Sequence, residues 1–304
     1  VFAFVSVPAV IEQGPHYNII GKLQGSTNPQ KMILITCHYD TVVDAGFCSN
    51  GAGTAAVVEL AKVFSEAAQE GIYKPEDTLV FVAFAGEELG YAGSINYVKQ
   101  HASELSSITA VTNLDSIGSE TTEISTTFPD NTGLDLQSVV TNAANDLGLT
   151  VKLADPGGSD QETFRNPAGT DNIYQQFWGT TIGIHNATRV ESSIMISSYP
   201  LTWTNTENDN STSTATLGWV SPGNLQNQTL VAGLSVMRVS SELFNPLILG
   251  LYGSLVAAIG IAAVTAYLER SRLKALLSSF AHDFHSYIGG REVLYIIILT
   301  VIFL

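Results

Sequence analysis

Three short apolar runs rich in β-branched residues constrain the fold of this chain more than any other feature. They are Lys31–Cys37, Thr78–Phe84 and Ile108–Leu114, and each has the length of a buried strand. Further strands are predicted at 17–23, 123–126, 150–153, 181–184 and 193–196, and amphipathic helices at 52–68, 92–101, 134–147 and 225–243. This interleaving predicts an α/β fold, a three-layer sandwich with a mostly parallel central sheet.

The last sixty residues of the 304-residue chain differ in character from the rest. Residues 246–268 carry no charge, and a helix of that length is long enough to cross a bilayer. Three cations in the next six residues mark the cytoplasmic side of this segment. We therefore predict a membrane protein with an extracytoplasmic domain over 1–244 and a transmembrane helix over 246–268. A cytoplasmic amphipathic helix and turn are predicted over 269–290, and the start of a second transmembrane helix over 291–304.

The predicted outer domain has features of an exported domain. The whole chain has a formal net charge of −15, which disfavours nucleic acid as a partner because phosphates would be repelled. Asn186, Asn210 and Asn227 begin Asn-X-Ser/Thr sequons, which predict a glycan-bearing surface at the cell exterior or in a lumen. Cys37 and Cys48 suit either one disulfide or two free thiols. The expected partners are the membrane and other membrane or envelope proteins.

Residues suited to zinc chemistry follow the three apolar runs. His38, the pair Glu87-Glu88, and Asp115 each come directly after or shortly after a run. Because parallel strands end at a shared edge of a sheet, these side chains are expected to meet there. Imidazole and carboxylate groups are zinc ligands, and an additional glutamate can act as general base. Asp40 is expected to orient the His38 ring. Alternatively, the glutamates begin a helix and Asp115 is a turn residue.

Four motifs in this order resemble a known family of zinc exopeptidases. They read HYDTV, SNGAGTAAVVELAKVF, FVAFAGEELGYAGS and NLDSIG. The family includes bacterial aminopeptidases, glutamate carboxypeptidase and glutaminyl cyclase, and also membrane-anchored members without a peptidase site, such as nicalin and nicastrin. The resemblance implies that His38 and Asp115 bind one zinc ion, that Glu88 binds a second, and that Glu87 is the catalytic general base.

The chain also departs from the family pattern at the site itself. Ser49 stands where active members have an aspartate that bridges two metals, and Thr202 and Trp203 stand where they have a tyrosine and a final histidine. Three of five expected ligands remain, so at most one zinc ion is expected, and a metal-free domain is an equal alternative. We therefore favour a non-hydrolytic binding or assembly domain over an enzyme. The alternative is a zinc aminopeptidase or carboxypeptidase with a reorganised one-metal site and a peptide substrate. A structural cell-surface role is a third hypothesis.

Overall fold

The computed structural model describes most of the predicted outer domain, and all described residues belong to the compact unit Val1–Phe244. The described ranges are 15–42, 45–119, 124–126, 135–153, 158–190, 192–198, 204–206, 208–210 and 220–241. Their strands are β1 (Ile19–Leu23), β2 (Asn28–His38), β3 (Asp77–Phe84), β4 (Ile108–Leu114), β5 (Ile124–Thr126), β6 (Val151–Leu153) and β7 (Ser193–Ser198). Their α-helices are α1 (Gly53–Gln69), α2 (Ala92–Gln100), α3 (Leu136–Asp146), α4 (Gln161–Arg165), α5 (Pro167–Trp178) and α6 (Pro222–Val239).

The strands form one mixed sheet in the order β1-β3-β2-β4-β7-β5-β6. The pairings β2 with β3, β2 with β4, β4 with β7 and β5 with β6 are parallel. The pairings β1 with β3 and β5 with β7 are antiparallel. The predicted α/β class is confirmed, and the sheet is parallel at its centre, where the functional residues were predicted.

Helices cover both faces of the central strands, which explains why these strands are apolar almost throughout. Helices α1, α3 and α6 pack on one side, and α2, α4 and α5 pack on the other. Successive β2 side chains alternate between the two cores: Ile33 and Ile35 pack in the same cluster as Phe64, whereas Leu34 packs with Tyr97 and Phe164. Each of these fully buried aliphatic side chains stabilises the fold by about 2 kcal/mol.

The chain differs from the predicted secondary structure between β6 and β7. The strand predicted at 181–184 is wrong, because this segment pairs with no strand. Its amides instead donate to one buried carboxylate: Asp171 accepts hydrogen bonds from the N–H groups of Ile182 and Gly183. Helices α4 and α5 were not predicted. The start signal for α5 was present, since the Asn166 side chain caps the helix and Pro167 occupies its first turn.

The predicted membrane segments at 246–268 and 291–304 and the amphipathic helix at 269–290 lie outside the described residues. Within the described part of the chain, no helix combines the length and apolarity needed to cross a bilayer.

Candidate metal centre

The carboxyl ends of β2, β3 and β4 meet at one edge of the sheet and border a pocket of about 360 Å³. The parallel register of β2 and β3 pairs His38 with Phe84, so the residues that follow the two strands emerge side by side. The pocket is lined by all four residues predicted to form a zinc site, namely His38, Glu87, Glu88 and Asp115. Their individual roles stay predictions, but their convergence is a property of the fold.

His38 lies at the buried end of this pocket, with 1% of its side chain exposed. Its Nδ1 atom lies 3.0 Å from the backbone oxygen of Asp40 and 3.5 Å from the Asp40 carboxylate, as expected for an oriented imidazole. Its Nε2 atom lies 3.4 Å from Oδ1 of Asp115. Burial lowers the pKa of His38, but the carboxylates of Asp115, Asp40 and Glu87 outweigh this and raise the pKa well above its usual value. Nε2 therefore carries a proton that a cation would replace.

Asp40 fastens the two glutamates to the end of β2. Its carboxylate oxygens accept hydrogen bonds from the N–H groups of Glu87 and Glu88, each at 3.1 Å. One ligand atom each from His38, Glu87 and Glu88 lies within 4.8 Å of the other two. The alternative that the glutamates occupy the first turn of a helix is wrong, because α2 begins only at Ala92.

Asp115 is held from the other side of the pocket. It is 9% exposed, and Oδ1 accepts a hydrogen bond of 2.9 Å from the Ser116 hydroxyl. The buried Asn50 side chain fixes the backbone here, donating to the Leu114 carbonyl and accepting from the Ser116 N–H group. Burial raises the pKa of Asp115, but interaction with His38 outweighs it and lowers the pKa below the usual value. The His38–Asp115 contact is therefore an ion pair when no metal is bound.

The remaining carboxyl groups, those of Glu87 and Glu88, have raised pKa values in the absence of a cation. Burial raises the pKa of Glu88 to about 7, although the positive charge of His38 opposes the shift. Burial also raises the pKa of Glu87 well above its usual range, with further contributions from Asp115 and Asp160. Crowded carboxylates repel one another when ionised, so a bound cation would favour their charged forms.

This donor set fits zinc, which prefers imidazole nitrogen and carboxylate oxygen ligands. One buried atom supports a cation at this site: Oε1 of Glu88 has no hydrogen-bond partner among the described residues. The nearby Asn205 side chain interacts with the same carboxyl group and lowers its pKa. A buried acceptor without a donor is costly, and a cation between Glu88 and His38 would satisfy it.

Asp160 is a buried carboxyl group that the sequence did not mark as a site residue. It is fully buried, and neither oxygen accepts a well-aligned hydrogen bond from a described residue. Burial raises the pKa of Asp160 to about 7, although His38 and the nearby Ser94 hydroxyl oppose the shift. Between about pH 4 and 7, the folded chain therefore holds a proton that the unfolded chain has released.

This proton makes stability dependent on pH. Because the pKa of Asp160 is higher in the folded state, its contribution reduces the free energy of unfolding as pH rises, by up to about 1.4 kcal/mol per pH unit. We expect Asp160→Asn to make this decline shallower between about pH 4 and 7. Urea unfolding of the metal-free chain at several pH values measures the slope. Glu66→Gln is the control, since Glu66 is exposed on α1. An Asp160→Asn slope equal to that of the wild type would contradict this assignment.

Ser49 lines the pocket at the position where the family resemblance predicted a lost aspartate. It is 3% exposed, and its N–H group donates to Oδ2 of Asp209 at 2.9 Å. The N–H group of Cys48 donates to the other oxygen of the same carboxylate. The pocket therefore has a neutral hydroxyl at this wall, and its backbone is fixed by a residue 160 positions away.

Three further pocket residues were not predicted from the sequence. Tyr91, Ser116 and Asn205 all line the pocket, and all have left-handed backbones with φ of 63°, 55° and 58°. They are the only non-glycine residues with positive φ in the described part of the chain. Such conformations cost about 1–3 kcal/mol each and cluster at functional sites. No spacing or composition signal predicts them, because the strain depends on the folded loops.

The remaining predictions concern the lost family residues, the sequons and the cysteines. Thr202 and Trp203 lie outside the described residues. Of the sequon asparagines, Asn186 is exposed and Asn210 and Asn227 are half-buried; glycosylation at all three stays a prediction. Both cysteines are buried free thiols, which answers the question that the sequence left open.

Comparison with known proteins identifies the family. The model of peptidase family M28 matches residues 18–189. A probable zinc metalloprotease of Pyrenophora teres f. teres is 31% identical over 157 residues, covering 49% of this chain and 32% of that protein. A glutamate carboxypeptidase 2 homolog of Caenorhabditis elegans is 35% identical over 83 residues, covering 27% of this chain and 11% of that protein. The chain thus spans about a third or less of these curated relatives.

The fold comparison agrees with the family match. The structure of a zinc aminopeptidase from Bacillus subtilis superposes with a TM-score of 0.55 and 23% identity, over 74% of this chain and 50% of that one. At this identity the likeness concerns the fold alone, and it matches the mixed α/β sheet described above. The matched family region contains β1 to β4 and the whole His38, Glu87, Glu88 and Asp115 cluster. The chain belongs to peptidase family M28.

Proposed function

We propose that this chain is a zinc-dependent exopeptidase that uses a one-metal site and removes residues from the amino end of peptides. The observation that carries the proposal is the convergence of His38, Glu87 and Glu88 within 4.8 Å, with a buried Glu88 oxygen that has no described hydrogen-bond partner. The Asp40 carboxylate holds this arrangement by accepting hydrogen bonds from the N–H groups of Glu87 and Glu88. The three strained residues around the pocket support a site shaped for a ligand.

His38 and Glu88 are the residues of this group that would hold zinc, and Asp115, whose Oδ1 atom lies 3.4 Å from Nε2 of His38, is the third ligand that the family resemblance implies. They supply one nitrogen and two carboxylate ligands, the number that a catalytic zinc requires beside an open position. Zinc would supply Lewis acidity, polarising a peptide carbonyl and making water more acidic. Glu87 then remains as the general base, and a neighbouring cation would favour its ionised form.

The chemistry assigned to Glu87 is a proton transfer in two stages. Glu87 takes a proton from water as the water oxygen bonds to the carbonyl carbon, and the π electrons of the carbonyl move onto its oxygen. When this oxyanion re-forms the carbonyl, the C–N bond breaks and its electron pair stays on nitrogen. Glu87 returns the proton to that nitrogen. One water and one peptide bond thus become a carboxylic acid and an amine.

The charge of the pocket favours the amino end of a peptide. Among the described residues that line it, none is lysine or arginine, whereas His38 is surrounded by acidic groups. A free ammonium group would be attracted here, and a terminal carboxylate would be repelled. One wall is apolar, with Ile173, Phe177 and Met195, and suits an aliphatic or aromatic first residue.

Hydrolysis and metal content of the full chain test this proposal together. We expect about one zinc ion per chain by metal analysis, and cleavage of leucyl-p-nitroanilide. N-acetylation of this substrate should reduce kcat/KM by about 10²-fold, because it removes the ammonium group. A chain that binds no zinc and cleaves none of these substrates would overturn the proposal. Preferential cleavage at a free carboxyl end would overturn the assignment of direction.

A second candidate is a non-hydrolytic binding domain, and Ser49 is the observation that favours it. A serine at the pocket wall leaves one fewer carboxylate for metal than the family resemblance implies for active members. In this case the domain would bind peptides or partner membrane proteins while anchored through 246–268 outside the cytoplasm. Peptide binding without cleavage by the zinc-loaded chain would favour this candidate. Protease accessibility of the domain in sealed membranes would test its placement.

A further inference from the structure

Tyr91 brings a phenol group to the pocket, and it is not one of the possible metal ligands. It is half-buried, lines the pocket together with Glu87, and begins α2 from a left-handed backbone of φ 63° and ψ 31°. A left-handed conformation is unfavourable for a bulky residue because its Cβ approaches the following carbonyl. The backbone of Tyr91 is therefore strained in the folded chain.

The hydroxyl end of Tyr91 is placed by close contact with a glycine. A Cβ atom added to Gly158 would lie 2.8 Å from the Tyr91 oxygen, so a side chain at residue 158 would displace the phenol from this position. Gly158 also lines the pocket. No described residue forms a hydrogen bond with the Tyr91 hydroxyl, which leaves its proton available to a ligand.

The surroundings of Tyr91 keep this proton in place. Burial raises the pKa of Tyr91, and the nearby carboxyl groups of Glu87 and Asp160 raise it further. The phenol therefore stays a neutral hydrogen-bond donor across the range in which a peptidase works. Donation of a hydrogen bond requires no loss of the proton.

The reaction proposed above creates a need for such a donor. As water adds to the peptide carbonyl, negative charge develops on the carbonyl oxygen, and donors aimed at that oxygen lower the barrier. Lysine and arginine are absent from the described lining, and the Asn205 side chain interacts with the Glu88 carboxyl group. Tyr91 supplies the aromatic hydroxyl donor of this lining. It is close enough to Glu87 for the glutamate charge to raise the pKa of the phenol.

We propose that Tyr91 is a further catalytic residue of this pocket, whose O–H group donates a hydrogen bond to the oxyanion formed from the scissile carbonyl. The inference rests on the proposed exopeptidase function. The phenol keeps its proton throughout, so the bonds made and broken are those already described for Glu87 and water. Gly158 acts as a positioning residue, because its lack of a side chain admits the phenol.

Tyr91→Phe in the zinc-loaded full chain tests this role, since it removes the hydroxyl and keeps the ring. We expect kcat for leucyl-p-nitroanilide to fall about 10²-fold with little change in KM. Gly158→Ala should lower kcat in the same way by displacing the phenol. Tyr174→Phe is the matched control, because Tyr174 packs against Trp178 and does not line the pocket.

Ligand binding supplies a readout that does not depend on turnover. The phosphonic acid analogue of leucine carries tetrahedral oxygens, so Tyr91→Phe should weaken its binding about tenfold or more while leucine itself binds equally well to both chains. An active wild type with unchanged kcat and phosphonate affinity in Tyr91→Phe would overturn the Tyr91 role alone. A wild type that binds zinc but hydrolyses nothing would overturn the exopeptidase proposal and this role with it.

Discussion

Replacing Glu87 with glutamine is expected to lower kcat for aminoacyl substrates by about 10³-fold while leaving zinc binding intact. Glutamine has nearly the same shape but cannot accept the proton of water, and the N–H contact from residue 87 to Asp40 is a backbone contact that the change retains. Steady-state kinetics together with metal analysis of the purified full chain measure both effects.

The adjacent residue provides the matched comparison. Glu88→Gln is the same chemical change one position along, held by the same Asp40 carboxylate, but it alters the side chain with the unpartnered buried oxygen. We expect it to weaken zinc binding by about 10-fold or more. If Glu87→Gln lost zinc and Glu88→Gln lost only turnover, the two roles would be exchanged. Unchanged kcat in Glu87→Gln would reject the general base.

Ser49→Asp is expected to strengthen zinc binding at least about tenfold and to allow a second zinc ion to bind. The substitution places a carboxylate at the pocket wall, where the family resemblance implies a bridging ligand, and carboxylate oxygens are zinc ligands. Without metal the same carboxylate would be buried among acidic groups, so the metal-free chain should lose about 2 kcal/mol of unfolding free energy. Zinc titration calorimetry and urea unfolding with and without zinc measure these opposite effects.

Ser49→Asn separates charge from size in this experiment. Asparagine matches aspartate in shape but carries no charge, and Asp209 holds only the backbone N–H of residue 49, which both variants keep. We expect no gain of a second ion in Ser49→Asn. Equal zinc affinity in the two variants would show that the wall residue does not face the metal.

The central part of the fold and of the site is predictable from local sequence. The runs that form β2, β3 and β4 are apolar because helices cover both faces of these strands. Because the three strands are parallel, the histidine and carboxylate residues that follow them lie at one edge of the sheet. His38, Glu87, Glu88 and Asp115 therefore follow from strand ends alone. The order of the strands brings them to one edge, and hydrogen bonds with the side chains of Asp40 and Asn50 fix the backbone around them.

The rest of the pocket depends on contacts that no local pattern encodes. Asp160 is a site neighbour because a short helix buries it, and Tyr91 depends on the absence of a side chain at Gly158. The segment 181–184 looked like a strand because its composition is apolar, but a carboxylate from α5 satisfies its amides instead. Long-range side-chain contacts decide these positions, and a single sequence does not reveal such pairs.

Because of the Asp209 contact, we expect one wall of the pocket to form late in folding. Two successive amides, of Cys48 and Ser49, depend on a carboxylate 161 and 160 residues further along the chain. Closing so long a loop costs more entropy than forming the neighbouring strands β2 and β3. We therefore expect the amide hydrogens of Cys48 and Ser49 to exchange with solvent through local opening, faster than those in the centre of the sheet. Binding at the pocket can then be followed as slower exchange at two identified amides.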